Sequence, residues 1–309
     1  MTKKTFFYID DVIWIFRDLT RQRPASLFHN SFLKVMKQAH DQYGMKVQLN
    51  VFYRTDFFYG NDEFTLAEMT DAYKAEWEAA SDWLKLGFHA KQEFPDYPYI
   101  NATYETVSEC LADIKREIFR FAGEKTFSKA VIPHWLPISK EGVKALYDGG
   151  IRITSMSSGP KEEYNGDPFS LPYGHAARLL NNRQPETMVF HRGTKDKAID
   201  CSLCGYNHFP ADIAAQNRFA LKYIHDEETG MNFKQMGGGP SLNLNTLAEL
   251  EPGFAPLLGN EYIGYGTHEQ YFYADYYNYQ PEYPSKVLKA AEILTNAGYT
   301  YFFTQDLPE

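Results

Sequence analysis

Four places in this chain put reactive side chains where a strand-like run stops. Asp10-Asp11 end the apolar run 5–9, His89 closes 86–89, Pro133-His134 close 129–133, and His268-Glu269 follow 262–267. Two adjacent carboxylates repel in a partly buried place unless a cation or protons compensate. Histidines and carboxylates together are the usual stock for general acid–base work. Taken singly these residues mean little, since an Asp after a strand is often only a helix N-cap. Several such strand ends converging on one region is what points to a site.

The elements that must position them alternate. Helix-period segments are predicted at 31–43, 65–85, 106–121, 139–147 and 284–297, and a further one at 210–225. Strand-like runs lie between them at 5–9, 47–52, 86–89, 129–133, 151–154, 188–191, 198–201, 262–267 and 300–303. In 65–85, Thr65 and Glu68 have capping-box spacing, and Leu66, Met69, Tyr73 and Trp77 share one face. Thr106 and Glu109 repeat that spacing ahead of Val107, Leu111, Ile114 and Ile118. This rhythm implies an α/β protein with parallel strands and right-handed crossovers, either a distorted (β/α) barrel of about seven strands or an open doubly wound sheet. In a barrel the four reactive strand ends would share the C-terminal rim, where active sites are built. The first strand–helix turn, Asp10-Asp11-Val12-Ile13-Trp14, has no glycine fingerprint, which counts against dinucleotide binding. Gly237-Gly238-Gly239-Pro240 lacks the Lys-Ser/Thr of a phosphate loop and reads as a turn.

The 309 residues carry 44% hydrophobic and 23% charged residues, which excludes a disordered chain. No break resembles a domain boundary, so residues 1–309 read as one barrel domain with an extended loop or insertion at about 155–185. The balance of 31 basic against 40 acidic residues, with no basic run longer than two, argues against nucleic-acid or anionic-membrane partners. No stretch reaches the roughly 18 apolar residues of a membrane span. Met1-Thr2-Lys3-Lys4 leads straight into a strand with no signal-type segment, so the expected location is cytoplasmic. Cys110, Cys201 and Cys204 are too few and too odd for a disulfide framework. Cys201 and Cys204 have zinc or redox spacing, but short of further ligands they read as two free thiols. The Tyr-rich stretch 271–283 is either a sugar platform or a packed loop.

The order of these motifs resembles the polysaccharide deacetylase (NodB-homology) family of metal-dependent carbohydrate esterases. Phe7-Tyr8-Ile9-Asp10-Asp11 is similar to its first motif, which would make Asp10 the catalytic base and Asp11 a metal ligand. The second family motif, His-x-x-x-His, stands here as His89-Ala90-Lys91-Gln92-Glu93, with Glu93 in place of the second His. The third, Arg-x-Pro, stands as Ile132-Pro133-His134-Trp135 without its Arg, leaving His134 or Arg152 to supply the missing charge. His268 in Tyr265-Gly266-Thr267-His268-Glu269 matches the family's general acid in position. The likeness runs through most of the chain and is loose over 155–260.

The resemblance implies a ligand set of Asp11, His89 and Glu93 for one divalent ion, Zn²⁺ first, with Mn²⁺, Fe²⁺ or Co²⁺ also suited. Should Glu93 not ligate, His134 is the first residue to examine in its place. His134, Trp135, Glu269 and Tyr271 are the expected substrate contacts. The implied reaction is removal of an acetyl group from a small N-acetylated sugar or related acyl substrate. Two alternatives stand beside it. One is a barrel of the same fold that binds carbohydrate without turnover. The other is a metal-free glycosidase using rim carboxylates such as Glu93 and Glu269.

Overall fold

A computed structural model describes residues 3–55, 63–94, 97–157, 205–276 and 278–307. The expected insertion at 155–185 falls almost wholly outside them, as do the runs 188–191 and 198–201 and the pair Cys201 and Cys204.

The chain is a mixed α/β protein built on parallel strands. The first sheet centres on β1 (Lys4–Val12), which pairs in parallel with β2 (Val47–Phe52) on one side and β8 (Tyr262–His268) on the other. β3 (Leu84–Ala90) extends it beyond β2, and β9 (Thr300–Tyr301) runs beside the start of β1. β2 is buried at every residue, as expected of a parallel strand covered on both faces. The second sheet has the order β4 (Ala130–Val131), β5 (Ile153–Ser155), β7 (Asn232–Lys234), β6 (Ile224–His225), with β6 and β7 antiparallel. Two seams join the sheets without a continuous ladder. Ser128 N–H donates to Leu86 O at 2.8 Å and His134 N–H to His89 O at 3.2 Å, tying β3 to β4. On the other side Gly239 N–H donates to Gly264 O at 2.8 Å, beside β8.

The helices cover these strands: α1 (Trp14–Gln22), α2 (Ser31–Tyr43), α3 (Lys74–Ala79), α4 (Tyr104–Phe121), α5 (Lys140–Asp148), α6 (Ala211–Asn217), α7 (Leu250–Phe254) and α8 (Tyr283–Asn296). Local chemistry sets their ends. The Asn30 side chain accepts from the N–H groups of Phe32 and Leu33 to start α2, and Gly44 at φ +66° ends it. None of the described helices is long and apolar enough to cross a membrane.

Three expectations are corrected. The 65–85 helix does not exist as one element. Its Thr65–Glu68 capping box forms, but it opens a single 3₁₀ turn, Leu66–Glu68. Arg120 of α4 then donates to the carbonyls of Leu66 and Met69 at 2.8 and 2.7 Å, taking acceptors that a continuing helix would need. Leu66, Met69, Tyr73 and Trp77 are still all buried. Second, α4 is capped by Thr103, whose hydroxyl accepts from Thr106 N–H at 3.3 Å, so the helix begins two residues before Thr106. Third, the helix expected over 210–225 ends at Asn217, β6 takes its last two positions, and β7 lay outside the expected strands. Asn232-Phe233-Lys234 has no apolar alternation, yet all three residues are buried. One pair runs antiparallel, and no closed ring is traced by strand pairing among the described residues.

Candidate metal centre

β1 ends in a distortion that aims both aspartates the same way. In a regular strand neighbouring side chains point to opposite faces. Here the β1–β2 register shifts between Ile9 and Val12, and Asp11 sits at φ +61°. That left-handed conformation costs a non-glycine residue about 1–3 kcal/mol and clusters at functional sites. Both carboxylates end up buried, with 8% of Asp10 and 4% of Asp11 exposed.

Asp11 meets two histidines. Its Oδ1 lies 3.1 Å from His89 Nε2 and 3.4 Å from His134 Nδ1, and those two nitrogens are 3.1 Å apart. The far nitrogen of each ring faces a backbone carbonyl: His89 Nδ1 is 2.5 Å from Ile132 O, and His134 Nε2 is 3.0 Å from Glu93 O. A carbonyl can only accept, so each far nitrogen carries a proton. In the neutral rings the lone pairs of His89 Nε2 and His134 Nδ1 therefore point inward at the Asp11 oxygen. Gln270 donates to the other Asp11 oxygen at 2.8 Å and fixes the carboxylate's tilt. Three buried acceptors facing one another are held together only by positive charge between them. Their spacing suits a metal ion, since atoms about 2.0–2.2 Å from one tetrahedral zinc stand roughly 3.3–3.6 Å apart. Carbonyls fixing the tautomer of each imidazole are the usual outer partners of ligating histidines.

The electrostatics make the same demand. Burial alone would raise Asp11, but His268, His134 and His89 hold its carboxyl well below the usual carboxylate range. Burial opposes charge on His89, yet Asp10 and Asp11 push its pKa up. Burial also pushes Asp10 up to about 6; His89 pulls it down and Asp11 adds to the rise.

Asp10 is held from below by a chain of amides. Ser128 Oγ donates to Gln48 Oε1 at 2.8 Å, Gln48 Nε2 to Asn50 Oδ1 at 2.8 Å, and Asn50 Nδ2 to Asp10 Oδ1 at 2.6 Å. Gly87 leaves room for it, since a Cβ there would stand 2.9 Å from both the Gln48 and Asn50 amides.

The other sequence candidates fall out unevenly. His268 lies at the rim, its Nε2 3.9 Å from Asp11 Oδ2 and its Nδ1 3.2 Å from Asn243 Oδ1. Glu93 is buried, but its carboxylate is 4.0 Å from the far nitrogen of His134, outside the three-atom group. Residues 91–93 form a bend and not the helical turn that would bring an i+4 side chain back to His89. Trp135 borders the group, tilted against His134 and stacked on Tyr97 with centroids 5.2 Å apart. Arg152 is at the start of β5, bonded to the carbonyls of Tyr147 and Ile151, away from the donors. Tyr271 is fully buried, edge-on to Tyr276, and Tyr273 and Tyr276 pack on Trp14, so these three rings pack into the fold, while Tyr279 is exposed.

Glu269 is committed elsewhere. Its carboxylate accepts from the N–H groups of Ile13, Trp14 and Ile15 at 2.7, 2.8 and 2.7 Å, satisfying the start of α1. Burial pushes its carboxyl up to about 7 against the pull of those donors. Glu269→Gln turns one acceptor into a donor facing a buried N–H, an expected loss of about 1–3 kcal/mol. Thermal unfolding should show a lower midpoint with metal content retained. An unchanged midpoint would remove this role from Glu269.

Sequence reasoning missed Gln270, Asn243, Gln48 and Asn50. The last two left a signal, as amide side chains inside the otherwise apolar run 47–52.

These features define an α/β protein with a buried Asp-His-His group at the ends of its parallel strands. No family model matches the chain, and no curated protein does. Solved structures with a similar fold include the 4-alpha-glucanotransferase of Thermococcus litoralis, which aligns over 98% of this chain at 11% identity with a TM-score of 0.50. The chain spans 39% of that enzyme's length, and at this identity the likeness is one of fold. A presumed polysaccharide deacetylase from Mycobacterium smegmatis aligns more loosely, over 96% of this chain and 82% of its own, at 11% identity with a TM-score of 0.39.

Proposed function

We propose that this chain is a metal-dependent hydrolase of the polysaccharide-deacetylase type, acting on a small N-acetylated sugar or related acyl compound. The two sheets then form a distorted barrel with the site at its C-terminal rim. The observation that carries this reading is the convergence of Asp11, His89 and His134 with both imidazole lone pairs turned inward. Asp11, His89 and His134 would hold the ion. His134 thus takes the place that the sequence motif assigned to Glu93. Two imidazoles and a carboxylate suit Zn²⁺, and Fe²⁺, Co²⁺ or Mn²⁺ after it.

When bound, a divalent ion supplies Lewis-acid stabilisation of the negative charge that develops on the acyl oxygen. The protein's own groups do the rest. Asp10 accepts the proton of the attacking water, its carboxylate oriented by Asn50. His268 stands across the group on the open side, with 19% of its side chain exposed, and delivers a proton to the leaving nitrogen. Its Nδ1 is steadied by Asn243, which leaves Nε2 as the transferring atom. The C–N bond breaks, and acetate and the amine leave. Gln270 keeps Asp11 from rotating out of the donor group. The commitment of Glu269 to α1 counts against a glycosidase that pairs it with Glu93.

The test is elemental analysis of the purified full chain, followed by acetate release from N-acetylated mono- and oligosaccharides. One ion per chain is expected, with turnover lost on chelation and restored on re-addition. Stoichiometric metal without turnover on any acylated substrate would leave the binding-only alternative. Absence of metal after loading with all four ions would end the hydrolase reading.

A further inference from the structure

The small cavity carrying Asp11, Glu93 and Gln270 has a neighbour. A second cavity of about 410 Å³ lies between the 91–94 bend and α4, and Arg54 lines both. The bend is the wall between them: Glu93 faces the first, and Lys91 and Gln92 face the second. Arg54 is held firmly. Its backbone N–H donates to Lys91 O at 2.9 Å, continuing the β2–β3 pairing beyond the strand ends. Its Nε donates to Gln92 Oε1, and Gln92 in turn donates to Phe94 O at 2.6 Å. With Nε occupied, the two terminal nitrogens form the remaining edge of the guanidinium. Among the described residues, no carboxylate is ion-paired with Arg54 or with Lys91. The opposite wall, on α4, carries Glu109 and Asp113. The cavity therefore carries Arg54 and Lys91 from the β2 end and the bend, and Glu109 and Asp113 from α4.

We propose that Arg54, with Lys91 beside it, forms a subsite for a carboxylate on the substrate. Two parallel N–H donors in one plane match two carboxylate oxygens, the geometry for which arginine surpasses lysine. Glu109 and Asp113 disfavour an anion against the α4 wall and leave the Arg54 edge as its partner. The favoured substrate is an acylated sugar acid or similar acidic acyl compound, and a neutral sugar is the poorer one. The word substrate rests on the hydrolase reading, whereas the anion subsite stands on its own residues.

The experiment is titration of the ¹⁵N-labelled full chain, as purified and again after dialysis against EDTA, with glucuronate, glucose 6-phosphate and glucose. Glucuronate should bind saturably in both preparations, with glucose far weaker. Arg54→Ala should weaken glucuronate by about tenfold or more, and Arg54→Lys by less, since it keeps the charge and loses the fork. Lys91→Ala, at an exposed position, should cost about threefold. Equal affinity for glucose and glucuronate, or no effect of Arg54→Ala in a folded variant, overturns the subsite. Tighter binding of glucose 6-phosphate than of glucuronate overturns its assignment to carboxylates. Metal content and acetate release, read separately, report on the hydrolase reading, so each can fail without the other.

Discussion

His134→Ala is expected to lower metal affinity by about a hundredfold or more, while Glu93→Gln keeps an ion in place. The first figure is a lower bound, because loss of an outer partner alone typically costs about 10- to 100-fold. His134 contributes one of the three donor atoms that converge among the described residues, and its Nδ1 is already turned toward the others by the Glu93 carbonyl. Glu93 contributes that carbonyl from its backbone, which a glutamine retains. Titration of the chelated protein with Zn²⁺, using a competing chromophoric chelator, measures both. Equal loss in the two variants would mean that the Glu93 carboxylate ligates after all.

Asp10→Asn is expected to cut turnover by about 10²- to 10⁴-fold with near-normal metal content, the range usual for losing a general base. Asparagine preserves the size of the side chain and still meets the Asn50 amide, so the site keeps its shape. It cannot take a proton. Asp11→Asn should instead deplete the ion. Parallel measurements of acetate release and metal content separate the two roles. If both variants lose metal to the same degree, the pair has been divided wrongly between base and ligand.

The scaffold was legible where one physical signal dominated. The spans of α2 and β2 match their periodicity, because a side-chain cap, a closing glycine and an unbroken apolar run each speak locally. The break at residue 69 was not legible, since its cause is Arg120 arriving from α4 some fifty positions away. β7 escaped notice because its buried polar residues satisfy themselves through the fold. Lys234 bonds the carbonyls of Ala220 and Gln235 at 2.9 and 3.1 Å. In the site, strand ends located Asp10, Asp11, His89 and His134 together. Whether the Glu93 carboxylate reaches the Asp11–His89 pair depends on whether residues 90–93 coil, and an i,i+4 spacing does not decide that. The Tyr-rich stretch carried enough aromatic surface for a platform, but Trp14 offered Tyr273 and Tyr276 a partner inside the fold.

The seam between β3 and β4 gives the donor group a mechanical meaning. His89 belongs to the first sheet, and His134 follows directly on the second, where few backbone bonds hold the two together. An ion gripping both rings would act as a rivet across that join. Because such binding favours only the closed arrangement, it stabilises it in proportion to the logarithm of ion concentration over dissociation constant. The seam and the proposed chemistry would then be one device: whatever parts the sheets there also separates His89 from His134.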